Sequence, residues 1–251
     1  MASRVLIMGG SGFLGREISE SLLRDGWKIN VLSRQVDLFP YPVPCKIFSW
    51  DGMEIPKQAL VDVKAVINLV GQSVADQSWT KEYKEALYTS RIQSTKALCA
   101  AVKNLDYPPE VIVQASASGY YGFSNDDKRD ENSPLGEDFL AKLCRDWEQE
   151  AEPLSRYSRL CIARIGVVLG WGGGALPKLA DIYSSGIGGQ LGAGNQWMNW
   201  IHVIDLVNFV KEALNDISFE GVYNLVAPNN VNNKKFHDLF SEYFPSLRLM
   251  R

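Results

Sequence analysis

The feature that most constrains this chain is a glycine turn set between an apolar run and a helical pattern near its start. Val5-Leu6-Ile7-Met8 reads as a strand buried on both faces. Gly9-Gly10-Ser11-Gly12-Phe13-Leu14-Gly15 follows it directly and opens an amphipathic helix over 12–25. In such an arrangement Gly9 permits the tight turn, Gly12 lets backbone approach a pyrophosphate, and Gly15 allows close packing of helix on sheet. The pyrophosphate would sit on the positive helix N-terminus, whose first N–H groups lack partners within the helix. A glycine pattern alone is weak. The strand before it, the helix after it and its place at the start of the chain turn it into an expectation of a bound dinucleotide.

The rest of the chain repeats the same alternation. Apolar strand patterns lie at 28–33 (KINVLS), 65–70 (AVINLV), 111–116 (VIVQAS) and 160–165 (LCIARI). Helical patterns lie between them, at 79–104 and 138–151, the first stopped by Pro108-Pro109. Strands that are apolar throughout, separated by helices, indicate a parallel sheet covered on both faces. The polar run 125–138 reads as a solvated loop. At 166–194 the composition shifts: ten of the 21 glycines fall there, at 166, 170, 172, 173, 174, 186, 188, 189, 192 and 194. Interleaved Val167, Trp171, Leu176 and Ile182 argue for a packed segment, with tight turns or a close backbone approach to a ligand.

Charge and cysteine content narrow the chemistry. The 251 residues carry 26 Lys and Arg against 29 Asp and Glu, a net charge of -3, with no basic block to attract nucleic acid or an anionic membrane. No apolar run approaches the roughly 18 residues of a spanning helix, and the first residues lack the apolar core of a secretory signal. The expected location is the cytoplasm. Cys45, Cys99, Cys144 and Cys161 show no C-x-x-C spacing, and only His202 and His237 could assist them, so neither a disulfide framework nor a metal site is expected.

Which dinucleotide is decided where the second strand ends. A carboxylate there would hold ribose hydroxyls and repel a 2′-phosphate. This strand ends Leu32-Ser33-Arg34, a hydroxyl followed by a guanidinium, which suits the 2′-phosphate of NADP(H). Asp37, three residues on, keeps NAD open as the alternative.

Further strings carry a resemblance. Asn68-Leu69-Val70-Gly71 and Ser116-Ala117-Ser118-Gly119-Tyr120-Tyr121-Gly122 follow two of the strands, and Ser90-Arg91, Asp146-Trp147-Glu148, Gly166-Val167-Val168-Leu169-Gly170, Trp200-Ile201-His202 and Asn224-Leu225-Val226-Ala227-Pro228 stand in order with them. Together they resemble the short-chain dehydrogenase/reductase superfamily, in its atypical epimerase-like branch described as sugar nucleotide epimerase or cell-division inhibitor. The resemblance implies an α/β fold, a Rossmann-like doubly wound parallel sheet with a small C-terminal substrate-side lobe. It divides the chain into an NADP-binding core over 1–165 and a mixed segment over 166–251 that completes the sheet and forms the lobe. It also implies that Leu69 and Val70 line the adenine–ribose region, that Arg91 replaces the usual active-site Asn, and that Val167 approaches the nicotinamide side. Members of the branch continue into a further C-terminal segment, so the resemblance implies a shortened substrate lobe here.

The departures concern proton transfer. Active reductases of this superfamily use Tyr-x-x-x-Lys, in which the lysine lowers the phenol pKa. None of the ten tyrosines here has lysine four residues on. Alignment through Glu148 puts Leu140 and Cys144 at the two relay positions, and alignment on Tyr121-Gly122 puts Ala117 at the usual hydroxyl position, flanked by Ser116 and Ser118. The catalytic candidates are therefore Ser116, which ends its strand where a bound nicotinamide would lie, Tyr121, with a turn-packing ring as its bland alternative, and Cys144, with an inert buried thiol as its own. His202 fits a structural hydrogen bond ahead of a helix better than acid–base work. Trp197 and Trp200 fit core or pocket wall. Two functions stand open: an NADP(H)-dependent oxidoreductase or epimerase-like enzyme acting on a small molecule, and a non-catalytic NADP(H)-binding sensor or partner-binding module.

Overall fold

Successive residues of a strand point to opposite faces, and in this chain both faces are dry. In β1 (Arg4–Met8), Val5 and Ile7 enter one core layer while Leu6 and Met8 enter the other, all four fully buried. The same division recurs in β5 (Val111–Ala117), where Val111 and Val113 oppose Ile112, and in β6 (Arg159–Ile165), where Cys161 and Ala163 oppose Leu160 and Ile162. Two apolar layers on one sheet require helices on both sides. α1 (Phe13–Arg24) and α5 (Val203–Asn215) close the first through Ile18, Leu22, Leu206 and Val210; α2 (Lys81–Lys103) and α3 (Phe139–Ala151) close the second through Leu98, Val102 and Ala151.

The structure, a computed structural model, describes residues 2–34, 45–123 and 128–244. Among these, seven parallel strands form the main sheet in the order β10-β6-β5-β4-β1-β2-β3, with β2 at Lys28–Ser33, β3 at Cys45–Ser49, β4 at Ala65–Asn68 and β10 at Gly221–Leu225. The chain runs outward from β1 to β3, then returns to the other side of β1 with β4. The resulting crevice at the carboxyl ends of β1 and β4 is where open sheets of this kind receive ligands. This is the parallel sheet covered on both faces that the alternation indicates, in the doubly wound Rossmann-like α/β form that the resemblance implies.

The later part of the chain supplies β10 and α5 to the main sheet and also two small sheets. One pairs β7 (Val167–Leu169) with β9 (Trp200–His202) in parallel; the other pairs β8 (Trp197–Met198) with β11 (Val231–Asn232). α4 (Ala175–Ser184) and α6 (Asn233–Tyr243) pack beside them, joined by Tyr183 against His237 and Phe240.

The apolar pattern does not mark β3, an edge strand with no fully buried position and with Lys46 and Ser49 exposed. The run at 65–70 is shorter as a strand than its composition suggests. Asn68 Oδ1 accepts the Val70 N–H at 3.2 Å, an Asx turn that ends β4 at Asn68 and releases Leu69 and Val70 to the crevice. Asp37 lies outside the described residues, as do four residues of the polar 125–138 region's surroundings (124–127) and the chain beyond Phe244.

Candidate functional site

The crevice is built from two turns in contact. Gly9 has φ +77, and a Cβ there would lie 3.1 Å from the Leu69 carbonyl carbon, so glycine serves both the turn and the close approach of the β4 exit. Gly12 N–H donates to Gly9 O at 3.1 Å and caps α1. A Cβ on Gly12 would meet nothing closer than Gly9 O at 3.4 Å, so the space before this helix end is open. Gly15 does allow close packing, but on the turn itself: its Cβ would lie 2.4 Å from Gly10 Cα.

The end of α1 is electrostatically prepared for an anion. Side chains cap α2, α3, α5 and α6, from Thr80, Asp138, His202 and Asn232 respectively. α1 has no side-chain cap and no acidic residue in its first turn. Its N–H groups and its positive dipole end therefore face the open space in front of Gly12. That is a fit for a pyrophosphate, judged from the chain's own atoms.

Phe13 and Leu14 offer that space their backbone, since their side chains are spent on packing. Leu14 joins the α1 side of the core. The Phe13 ring is enclosed by the glycine-rich loop 170–174: Cβ atoms added at Gly170, Gly173 and Gly174 would come within 2.8–3.0 Å of its atoms. Arg16 Nη2 also donates to Gly172 O at 3.4 Å. The glycine concentration that sequence alone relates to ligand approach thus serves, in this loop, the docking of the later segment onto α1. Across the crevice, Lys178 of α4 pairs with Asp76 at 3.0 Å.

Ser33 is buried at the end of β2, and Arg34 is exposed immediately after it. β2 neighbours β1, so this pair borders the crevice on the side away from β4. On the other side Arg91 lies under the Leu69–Val70–Gly71 turn: a Cβ on Gly71 would be 2.8 Å from its Cζ. Arg91 donates to Leu87 O at 3.0 Å and covers the Trp147 ring at 5.1 Å, and burial lowers its pKa. Val167 opens β7, half-exposed, with its N–H on Asn199 O at 2.7 Å.

The three catalytic candidates converge on a buried polar cluster that the sequence does not single out. Ser116 Oγ donates to Glu148 Oε1 at 2.5 Å. Glu148 receives Arg164 in a fork, Nε to Oε1 and Nη2 to Oε2, both at 2.9 Å. Arg164 Nη1 donates to Tyr121 Oη at 2.8 Å and to Glu131 O at 3.1 Å, and the Tyr121 hydroxyl donates to Asn224 Oδ1 at 2.6 Å. The guanidinium carbon of Arg164 lies 3.4 Å from the centre of the Tyr120 ring. Burial raises the Tyr121 pKa, against the lowering by Arg164. Burial also pushes the Cys144 thiol up to about 11, despite the opposing pull of Arg91, which leaves it protonated near neutrality. His202 Nδ1 accepts the Ile204 N–H at 3.3 Å as the cap of α5, the structural role anticipated for it.

Glu148, Arg164 and Asn224 are the residues sequence reasoning missed as a site. One signal was present: Arg164 interrupts the otherwise apolar Leu160-Cys161-Ile162-Ala163-Arg164-Ile165, and a buried guanidinium requires a carboxylate. Beyond the cluster, at the carboxyl ends of β5 and β10, opens a cleft of about 570 Å³ whose walls include Tyr121, Lys128, Arg129, Trp197, Asn224 and Asn230. Among the described residues no three His, Cys, Asp or Glu side chains converge as a metal site, and no helix is long and apolar enough to cross a membrane.

Comparison with known proteins matches residues 5–225 to the model of the NAD dependent epimerase/dehydratase family. An Arabidopsis thaliana relative, epimerase family protein SDR39U1 homolog, chloroplastic, is 40% identical over 234 residues, 90% of this chain and 67% of that protein. Human epimerase family protein SDR39U1 is 33% identical over 236 residues, 93% of this chain and 78% of that one. Among solved structures, human SDR39U1 (isoform 2) with NADPH superposes with a TM-score of 0.82 at 30% identity, covering 95% of this chain and 80% of that one. UDP-glucuronic acid 4-epimerase from Bacillus cereus, at 16% identity, shares the fold with a TM-score of 0.81, over 95% of this chain and 82% of that one.

Proposed function

The chain belongs to the NAD dependent epimerase/dehydratase family, and from that premise we propose that it is an NADP(H)-dependent, epimerase-like oxidoreductase of a small molecule. The observation that carries this reading is the uncapped, acid-free N-terminus of α1 opening on the crevice beside Leu69 and Val70. The NADPH held by the human relative supports the choice of cofactor. Gly9, Gly12 and the amides of Phe13 and Leu14 hold the pyrophosphate, with Gly15 keeping the turn tight. Ser33 and Arg34 take the 2′-phosphate, Leu69 and Val70 flank the adenine–ribose, Arg91 supports their turn, and Val167 borders the nicotinamide side. Bound NADP(H) supplies hydride chemistry, and the chain supplies position and electrostatics.

The substrate site in this reading is the cleft at the ends of β5 and β10, and neither nucleic acid nor membrane takes part. The cytoplasm is the location we propose; the Arabidopsis relative is described as chloroplastic. A second reading, a non-catalytic NADP(H)-binding sensor, is favoured by one observation. The Ser116 and Tyr121 hydroxyls already donate to Glu148 and Asn224, and the Cys144 thiol is held protonated.

One experiment separates them. NADPH and NADH are titrated against the protein, and NADPH oxidation is then followed with a panel of carbonyl compounds. Both readings expect binding that favours NADPH, and only the enzyme expects turnover. Tight NADPH binding with no turnover across the panel selects the sensor. Failure to bind either nucleotide overturns both.

A further inference from the structure

Three polar side chains lie fully buried between the sheet and α2, in a layer otherwise built from Val66, Leu98, Ile112 and their apolar neighbours. Asn68 ends β4, Gln114 sits beside it in register on β5, and Thr95 reaches them from α2. Trp147 Nε1 and Asn68 Nδ2 can only donate, and both reach Thr95 Oγ1, at 3.0 and 3.3 Å. The Thr95 hydroxyl hydrogen therefore goes to Arg91 O, at 3.0 Å. The other Asn68 Nδ2 hydrogen goes to Gln114 Oε1 at 2.9 Å, and Gln114 Nε2 donates to Ala115 O at 2.9 Å. With both Nδ2 hydrogens taken, the Asn68 amide has a single orientation, and its Oδ1 is left for the Val70 N–H. A flipped amide would set Nδ2 against that N–H and Oδ1 against the Gln114 acceptor. The group reaches the same turn by a second route. The Arg91 guanidinium lies over the Trp147 ring at 5.1 Å and packs against Gly71.

We propose that Thr95 is a positioning residue for the nucleotide, fixing through Asn68 and Arg91 the Leu69–Val70–Gly71 turn that flanks the adenine–ribose. This deepens the cofactor reading above and rests on it. Thr95 spends its one donor and both acceptor sites in joining Arg91, Trp147 and Asn68. A valine of the same shape would fill the space without desolvating a hydroxyl, so what the hydroxyl adds is a defined geometry. Being fully buried, Thr95 acts on the ligand only through Asn68 Oδ1 and Arg91, which set where β4 ends and how its turn is held.

The test is direct titration of the purified chain with NADPH and with adenosine 2′,5′-bisphosphate, the half of the nucleotide that the turn would flank. Far-UV circular dichroism checks the fold of each variant. Thr95→Val keeps the shape and removes the hydroxyl, and both ligands should bind about fivefold or more weakly, by the same factor. Thr95→Ser restores the hydroxyl and should return the parental affinities. Ser94→Ala removes a neighbouring buried hydroxyl that also donates to Arg91 O, at 2.9 Å, and should leave both affinities unchanged. Gln114→Met removes the other acceptor of the Asn68 Nδ2 hydrogens and should show the same loss as Thr95→Val; it decides the matter alone if Thr95→Val does not fold. A merely structural role would lower unfolding stability and leave the affinities of the folded variants in place. Unchanged affinity in folded Thr95→Val or Gln114→Met, a loss for NADPH that the bisphosphate does not share, or no recovery in Thr95→Ser overturns this proposal and leaves the cofactor reading standing. A parent chain that binds neither ligand overturns both.

Discussion

Replacing Arg164 by Met tests the buried cluster, because Arg164 is the cation paired with Glu148 among the described residues. The two side chains are 4% and 10% exposed. Glu148 would keep one hydrogen bond, from Ser116, and lose both halves of the fork. An uncompensated buried charge of this kind costs about 3–5 kcal/mol. Glu148→Leu, which strands the guanidinium, should cost about the same. The double variant removes both charges and leaves Ser116 and Tyr121 each short of one partner at roughly 1 kcal/mol apiece, plus the Tyr120 cation–π contact, for a total of about 2–4 kcal/mol. The pair should therefore couple by at least about 2 kcal/mol, far from additive. Urea unfolding of the four proteins, with the slope checked for constancy, measures this directly. Costs that add within about 0.5 kcal/mol, or an Arg164→Met cost below about 1 kcal/mol, would refute the assignment of this cluster as a mutually dependent buried network.

The remaining predictions use other parts of the structure. Gly174→Ala places a Cβ at φ +73 and 3.0 Å from the Phe13 ring, so thermal unfolding should show a loss of about 1–2 kcal/mol or more; Gly189→Ala, with nothing within 4 Å, should be near neutral. Cys45, Cys99 and Cys144 have pKa values raised by burial from 9.0 to about 11. Their protons are held more tightly folded than unfolded, so that contribution is fully present below pH 9 and lost as pH rises toward 11; the melting temperature should fall across that window. In the same protein Cys144 should resist thiol reagents at pH 8 and react in denaturant. Arg34→Glu should lower the NADPH-over-NADH preference by about tenfold or more in fluorescence titration, through like-charge repulsion of the 2′-phosphate.

What could be read in advance follows from how local each signal is. β1, β5 and β6 are legible because both faces of each strand are dry, so every position is apolar and the glycine turn marks where the helix begins. β3 is illegible because an edge strand with a half-wet face needs no such purity. The residues proposed to hold the cofactor sit in contiguous strings, which is what lets a sequence nominate them. The cluster behind the cleft has no such string, since Glu148, Arg164 and Asn224 lie on three separate elements that meet only after the sheet has formed. Glycines 170–174 show a subtler limit. Missing Cβ atoms announce a close approach, but nothing local says that the approaching group is the Phe13 ring of the chain itself.

The proposed function turns on the open N-terminus of α1 holding the cofactor's pyrophosphate. Gly12→Asp isolates it, because aspartate is a favoured helix N-cap and the position has room, so the fold should keep or gain stability. The same carboxylate would occupy and repel the phosphate site. NADPH affinity measured by direct titration should therefore fall by about a hundredfold or more while unfolding shows no loss of stability. A folded Gly12→Asp variant that binds NADPH as tightly as the parent would contradict the account.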